Sequence, residues 1–428
     1  MRSFPGRKSI AVALIAAVLV AMTFGPATAQ SSIRLVGEPV EENQFPEGIT
    51  FSLEAESSAR ITEVRLRYTF LPENRSSTAS ATFDPGTRIR ATYQLRSGTS
   101  GLYLPPGKQI RYSWEIRDAD GNELIVPAKE TSFADTRFPW QAVTDGNITV
   151  NYYIGDQRDA EVMALVARET IDKASALMGT TLNFPVQIWA YASQRDFQIA
   201  VAHESVTSNP GILGQAHEPD IFIMVVDRLS SPSALDTARH ELTHLVTARA
   251  VSEGPYQSLY PSWLNEGTSV YLQVSPNDVG YVDALDQAIR DDKVIPLKSL
   301  TAGTRSRNVG LFYGEGYSVV KYLVDTYGQE QFAAMIDAYN RTGVLDDAFT
   351  EAFHANVDEV YRDWRVSVGL PAVAAVADQP AAAPAAAAAE SSSDNTVLLA
   401  VVGTALLFML LGVAIAAGVL LARRARSA

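Results

Sequence analysis

The stretch that decides the fold is His240-Glu241-Leu242-Thr243-His244. Its two histidines are four residues apart, so in a helix their imidazoles lie on one face and can bind one metal ion. Glu241, next to the first histidine, is placed to accept a proton from a water on that ion. The residue types and their spacing therefore predict a metal site built for hydrolysis.

The residues around this motif have the pattern of two helices. Residues 233–239 read as a helix start, and the apolar residues within and after the motif form one helical face. A second helical pattern, residues 263–273, carries Glu266. Two crossing helices would bring this carboxylate to the two imidazoles, which predicts a zinc site with one position open for water.

Three other interpretations of the motif are a chance match on a surface helix, a purely structural metal site, and a metallopeptidase fold without catalysis. Structural zinc usually has four protein ligands, often thiolates, and the chain has no cysteine. The side chains for metal binding and water activation are all present. Hydrolysis is therefore the first prediction, and an inert cell-surface binding or adhesion protein is the alternative.

Residues from about 150 to 368 resemble the gluzincin metallopeptidases, specifically the bacterial peptidase MA-like domain. Besides the histidine motif, the resemblance is carried by Trp263-Leu264-Asn265-Glu266-Gly267 and by Tyr313-Gly314-Glu315-Gly316-Tyr317, which stands ahead of an apolar helix. It implies Glu241 as the general base and three zinc (Zn²⁺) ligands: His240, His244 and Glu266. It also implies a tyrosine that donates a hydrogen bond to the oxyanion.

Tyr313 matches the position of that tyrosine best, and Tyr317 is the alternative. Either tyrosine would equally fit the edge of the core, because tyrosine has an apolar body and a polar tip. Peptide or protein substrates follow from the resemblance, whereas cleavage specificity and oligomeric state stay open.

The sequence departs from related families at two places. Residues 214–220 lack the Gly-x-Met-Glu-Asn strand that binds the free amine in the related aminopeptidases, so the resemblance does not support aminopeptidase activity. Thermolysin-like relatives have an aspartate four residues after the third ligand, and here that residue is Val270. Because metal-bound imidazoles usually need such an acceptor, we expect Thr268, Ser269, a backbone carbonyl or another acid to replace it.

The two ends of the chain predict a protein anchored at the cell surface. Residues 1–29 have a basic start, an apolar run and small residues at the end, as in a secretory signal peptide; an uncleaved anchor is the alternative. Residues 396–422 are apolar and long enough to span a bilayer, and the basic residues 423–428 predict a cytoplasmic tail. We therefore expect a single-pass protein of the cell membrane with its body outside.

Between these ends the sequence predicts two domains and a linker. The net charge of −13 over 428 residues argues against a nucleic-acid partner. Residues 30–138 alternate apolar and polar side chains, which predicts an all-β sandwich of immunoglobulin or fibronectin type, with strands at 61–68, 91–95 and 110–116. Residues 370–395 have the Ala/Pro/Ser-rich composition of a linker.

Residues 139–369 predict an α+β zincin-like metallopeptidase domain with a helical C-terminal half. Its predicted strands are residues 148–153, 186–191 and 221–226. The last of these comes just before the motif, and its free edge would pair with an extended peptide substrate; an ordinary buried strand is an equal alternative. His217, shortly before that strand, is a further candidate for substrate contact.

Overall fold

The computed structural model describes residues 32–372, apart from 99–101, 209–212, 218, 252–256, 275–279, 302–304 and 306. The predicted signal peptide, membrane-spanning segment and cytoplasmic tail lie outside the described residues, as does most of the predicted linker. Within the described part of the chain, no helix is both long enough and apolar enough to cross a bilayer.

The N-terminal region is β-rich, as predicted. Its strands are β1 (Arg34–Leu35), β2 (Val40–Gln44), β3 (Gly48–Glu56), β4 (Ile61–Leu71), β5 (Arg75–Ser80), β6 (Arg88–Arg96), β7 (Lys108–Asp118), β8 (Glu123–Ile125) and β9 (Lys129–Phe133). The first sheet has the order β1-β3-β2 with β6 also on β3, and the second β5-β4-β7-β8 with β9 also on β7. The predicted strands at 61–68, 91–95 and 110–116 are confirmed within β4, β6 and β7.

One hydrophobic core lies between the two sheets of this region. Every pairing within the sheets is antiparallel, and the side chains of β3, β4 and β7 alternate between buried and more exposed positions. Phe51, Leu66 and Trp114 are fully buried in the shared core. Alternation along a strand is what allows one face of each sheet to bury its apolar side chains.

The second region is built on a five-stranded mixed sheet. Its strands are β10 (Gln141–Asp145), β11 (Ile148–Tyr152), β12 (Val186–Tyr191), β13 (Gly214–His217) and β14 (Ile221–Val225), in the order β10-β11-β12-β14-β13. The central three strands are parallel, and β10 and β13 are antiparallel edge strands. The three predicted strands of this region are confirmed, two of them one residue shorter.

Of the two alternatives for residues 221–226, the free edge is wrong and the ordinary buried strand is confirmed. Strand β14 pairs with β12 on one side and with β13 on the other. The edge strand is instead β13, which the sequence pattern did not reveal because four residues with one histidine and one glutamine have little apolar character.

Ten described helices complete this region. They are α1 (Gln157–Met178), α2 (Gln194–Ala200), α3 (His203–Ser208), α4 (Pro232–Val251), α5 (Ser262–Tyr271), α6 (Tyr281–Arg290), α7 (Val309–Tyr327), α8 (Gln329–Thr342), α9 (Leu345–Phe353) and α10 (Val357–Ser367). Helices α1 and α4 pack on each other, and their apolar residues share one core with the sheet and the later helices. The helical C-terminal half is as predicted.

The glycines of the stretch Tyr313–Tyr317 lie inside α7, not ahead of it. The carbonyl of Gly316 is 2.5 Å from where a Cβ on Gly267 of α5 would stand. Similarly, a Cβ on Gly314 would lie 2.3 Å from the carbonyl oxygen of Tyr281, the first residue of α6. Glycine is normally unfavourable within a helix by about 1 kcal/mol. Here it allows α7 to touch two other helices backbone to backbone.

Glu315, between these two glycines, is a buried carboxyl group. Both of its oxygens accept the Ile295 N–H, at 3.0 and 3.1 Å. Burial is the largest influence and raises the pKa of Glu315 to about 8; the Ile295 N–H and the charge of Arg365 oppose it. The folded chain therefore keeps this proton over a pH range in which the unfolded chain, with an ordinary glutamate, has lost it.

Raising the pH through that range should destabilise the parent protein more than a Glu315→Gln variant. Between about pH 4.5 and pH 8 the unfolded state binds fewer protons, so higher pH favours unfolding. Glutamine keeps an oxygen for Ile295 and cannot ionise, so we expect the variant to gain about 2–4 kcal/mol relative to the parent between pH 5 and pH 8. Urea unfolding at both pH values measures this, with the exposed Glu169→Gln as control. A parallel pH dependence of parent and variant would contradict the prediction.

Candidate metal centre

Helix α4 presents the two histidines of the motif on one buried face. His240 and His244 are 5% and 2% exposed, and their ring centroids are 4.9 Å apart. The same helix is held on the sheet and on α1 by residues that include the fully buried Leu242 and Leu245. Because the helix is fixed by this packing, the direction of both imidazoles is fixed too.

Glu266 comes to these histidines from α5, as predicted. Its Oε2 lies 3.2 Å from His240 Nε2 and 3.5 Å from His244 Nε2. One ligand atom from each of the three side chains falls within 4.8 Å of the others, and all three side chains are buried. Two nitrogens and one carboxylate oxygen at this spacing are the donor set that suits zinc.

The outer nitrogen of His244 faces two side chains of α5. His244 Nδ1 lies 3.1 Å from Asn265 Oδ1 and 3.3 Å from Ser269 Oγ. An Nδ1–H donated to Asn265 leaves Nε2 free to bind a metal, as metal-bound histidines require. Ser269 was among the predicted partners. Asn265 was missed, although it stands directly before Glu266 in the sequence.

Thr268, the other side chain named for this role, makes a different contact, and Val270 stands where thermolysin-like relatives have the aspartate. The Thr268 hydroxyl donates to the Leu264 carbonyl at 2.7 Å, and Val270 is a fully buried core residue. The hydroxyl of Thr268 thus satisfies the helix to which it belongs.

A buried arginine holds the other oxygen of Glu266. Arg305 Nη1 lies 2.7 Å from Glu266 Oε1, and both side chains are almost fully buried. Glu266 therefore directs one oxygen to the histidines and the other to a guanidinium group, and such charge-assisted bonds fix orientation strongly. Sequence analysis missed Arg305, since it belongs to no motif and is 39 residues from Glu266.

Glu266 and His244 influence each other electrostatically. Burial alone would raise the pKa of Glu266, but the neighbouring His244 and His240 lower it well below its usual range. Burial likewise opposes a charged His244, yet the negative charge of Glu266 outweighs it and raises the pKa of His244 to about 9. The carboxylate is thus charged, and a metal ion bound here would displace the histidine proton.

Glu241 is buried between α4 and the edge strand β13. Its Oε2 accepts the Ala216 N–H at 3.1 Å. Burial raises the pKa of Glu241, and the charges of His244 and His240 act against it. A carboxyl group with a raised pKa, held by one backbone hydrogen bond, is suited to gaining and losing a proton.

The structure places Tyr313 beside the histidine pair. Its ring centroid is 6.1 Å from that of His240 and 4.9 Å from that of Tyr281, on which it stacks. Its hydroxyl is buried and close to the guanidinium group of Arg305. Burial, and then the charge of Glu266, raises the pKa of Tyr313 well above 10, so the hydroxyl keeps its proton. Tyr317 is half-buried and packs at the edge of the core.

His217 lies on the face of β13 opposite Ala216, because successive side chains of a strand point to opposite sides. Its ring packs on Tyr103 of the β-rich region, with centroids 4.7 Å apart. Burial, followed by the charge of Lys108, lowers the pKa of His217 to about 3. The neutral imidazole thus packs against the β-rich region, and its predicted contact with substrate stays a prediction.

Comparisons with known proteins give one family match. Residues 166–369 match the sequence model of the Peptidase MA superfamily. An M1 zinc metallopeptidase from Deinococcus radiodurans is similar at 12% identity over 79% of this chain and 93% of that chain, with a TM-score of 0.34. A two-domain M1 zinc metallopeptidase mutant bound to L-arginine is 12% identical over 74% and 89%, with a TM-score of 0.36. No curated protein matches the chain.

Proposed function

Since residues 166–369 belong to the Peptidase MA superfamily, we propose that this chain is a zinc-dependent peptidase that hydrolyses internal peptide bonds. The observation that carries the proposal is the buried cluster of His240, His244 and Glu266, whose ligand atoms lie within 4.8 Å of one another. These three side chains would hold the ion, and the contacts of Asn265 and Arg305 would keep two of them in place.

The chemistry needs an activated water and a proton carrier. Zinc bound to such a cluster supplies Lewis acidity and lowers the pKa of water. The carboxylate of Glu241 would take the proton from the attacking water and later deliver it to the leaving amine. Its hydrogen bond from Ala216 supports this role, because it orients the carboxylate without donating a fixed charge.

Tyr313 would stabilise the oxyanion that develops on the scissile carbonyl. Its hydroxyl stays protonated and is buried, and its ring centroid is 6.1 Å from that of His240. A preorganised donor in a buried site stabilises developing charge more strongly than one in water. Tyr313 is thus preferred over Tyr317 for this role.

The edge strand β13 would bind the substrate backbone. The Val225 N–H donates to the Leu213 carbonyl at 2.9 Å, so in this antiparallel pair the odd-numbered residues of β13 face β14. The backbone groups of Gly214 and Ala216 therefore point the other way, to the side where Ala216 meets Glu241. An extended peptide added there would run past the general base, as in binding by strand addition.

The location follows from the sequence. We propose that residues 1–29 direct secretion and that residues 396–422 anchor the chain in the cell membrane, with residues 423–428 in the cytoplasm. Residues 370–395 would hold the catalytic body away from the bilayer. The β-rich region 30–138, of immunoglobulin or fibronectin type, would be outside the cell together with residues 139–369.

Metal analysis and peptide cleavage test this function together. We expect about one zinc per chain and chelator-sensitive cleavage of a broad peptide library. His244→Asn removes a direct ligand, so zinc affinity should fall by more than the 10–100-fold typical of outer contacts. His354→Asn is the matched control, because His354 is exposed and has a left-handed conformation that asparagine tolerates. Zinc bound without cleavage of any library would favour an inert binding protein.

A further inference from the structure

A short segment of the β-rich region meets the catalytic sheet at several points. This docking segment, residues 103–108, leads into β7, whose first residue is Lys108. The Gly107 carbonyl accepts a hydrogen bond from Gln187 of β12 at 3.1 Å, and a Cβ on Gly107 would lie 2.5 Å from Trp189 Nε1. The two regions therefore touch closely enough here that only glycine fits.

Tyr103 of the docking segment contacts both β13 and the end of α2. Tyr103 packs its ring on His217, the last residue of β13, and its hydroxyl donates to the Ala200 carbonyl at the end of α2. His217 is 8% exposed and its Nε2 has no hydrogen-bond partner among the described residues. Its position therefore depends on packing against Tyr103 rather than on a polar contact through Nε2.

A buried ion pair ties the docking segment to the turn between β13 and β14. Lys108 Nζ lies 2.6 Å from Glu73 Oε1 within the β-rich region and 3.3 Å from Asp220 Oδ1 across the boundary. The side chains of Lys108 and Asp220 are only 6% and 5% exposed. A buried charge is costly unless it is paired. Because Lys108 and Asp220 belong to different regions, their pairing favours the arrangement in which the two regions stay in contact.

Strand β13 needs such support. It has four residues, lies at the edge of its sheet and, among the described strands, pairs only with β14. Short edge strands have few contacts and open readily unless something else holds them. Yet this strand carries Ala216, whose N–H orients Glu241, and its outer edge is the proposed peptide-binding edge.

We propose that the β-rich region contributes to substrate binding by the peptidase through its contacts with β13. Lys108 is then a positioning residue, which holds β13 at the distance from α4 that substrate binding requires. The inference rests on the proposed function only for what β13 binds. The clamp itself consists of contacts that exist without substrate: Lys108 with Asp220, Tyr103 with His217, and Gly107 with β12. Loss of the clamp would loosen β13 while leaving the metal cluster on α4 and α5 intact.

Hydrogen exchange of the full-length protein in mild detergent tests the clamp directly. In Lys108→Met, we expect amides of residues 213–217 to exchange at least 10-fold faster, a larger increase than in strands β11 and β12. Because Lys108→Met leaves Asp220 buried without its partner, overall stability should fall as well. The double variant Lys108→Met with Asp220→Asn removes the two buried charges, and the Glu73 side chain, which is 28% exposed, is left in contact with solvent. It should recover stability while residues 213–217 still exchange fast. Lys129→Met, which breaks an exposed ion pair with Glu38 in the same region, is the control.

Parental exchange at residues 213–217 in the stable double variant would overturn the inference. Zinc affinity of the double variant should stay within about threefold of the parent, since no ligand is touched. With fluorescein-labelled casein as substrate, KM should rise several-fold because binding to β13 weakens, and kcat should fall by a smaller factor because Ala216 orients Glu241 less firmly. Absence of casein cleavage by the parent would count against the proposed peptidase function, and the exchange result would still decide on the clamp.

Discussion

Glu241→Gln is expected to reduce kcat/KM for peptide cleavage by about 10³-fold or more. Loss of a general base typically costs about 10²–10⁴-fold. Glutamine has nearly the same shape, and its amide oxygen can still accept the Ala216 N–H that Glu241 accepts at 3.1 Å. It cannot take a proton from water, however. Zinc content, measured on the same preparation, should equal that of the parent because the residue is not among the three clustered ligands.

The surface variant Glu169→Gln serves as the control for this substitution. It makes the same chemical change on an exposed face of α1 and should cleave at the parental rate. Parental cleavage by zinc-loaded Glu241→Gln protein would contradict the assignment of the general base. Loss of zinc along with activity would instead show that Glu241 acts on the metal cluster, so both quantities must be measured.

Gly267→Ala should clearly lower the stability of the protein. Helix propensity alone favours alanine by about 1 kcal/mol at a helical position. The added Cβ would stand 2.5 Å from the carbonyl of Gly316, however, and backbone atoms cannot rotate away. Overpacking of this kind costs about 1–3 kcal/mol, and a contact between two backbones belongs at the upper end. After the gain of about 1 kcal/mol in helix propensity, we therefore expect a net loss of about 2 kcal/mol.

The same change should weaken zinc binding. Separating α5 from α7 displaces Glu266, which stands next to Gly267 and must reach both histidines. Urea unfolding and zinc titration of Gly267→Ala measure the two effects. Gly86→Ala is the control, since its Cβ would meet no atom closer than 3.4 Å. A variant as stable as the parent would show that α5 and α7 can separate without cost.

The sequence by itself predicted the elements whose pattern is local. Alternating residues gave β4, β6 and β7, and the histidine spacing gave one face of α4, because four residues along a helix complete about one turn. The meeting of Glu266 with both histidines was also predicted, because Glu266 lies in a second helical pattern and the intervening loop is long enough for two helices to cross. Ser269 was named as a partner of a histidine because Val270 stands where thermolysin-like relatives have an aspartate.

Some segments were wrongly predicted because two different structures can have the same local sequence pattern. The stretch Tyr313–Tyr317 resembles a segment ahead of a helix because its two glycines lower helix propensity. In the structure it is helical, and the glycines are needed because α5 and α6 approach α7 too closely for side chains at these positions. Residues 221–226 resemble an edge strand as much as a central one, because an apolar run does not show which neighbours pair with it. The weakly apolar β13 took the edge instead.

The sequence therefore determined the metal motif, its two helices and six of the described strands, all of which depend on residues close together in the chain. These strands are β4, β6, β7, β11, β12 and β14. Only the tertiary structure decided that Arg305 holds Glu266 across 39 residues and that Lys108 reaches Asp220 across 112. Such contacts leave no periodic signal in the sequence, because they depend on how separately formed elements pack and on burial that makes an unpaired charge costly.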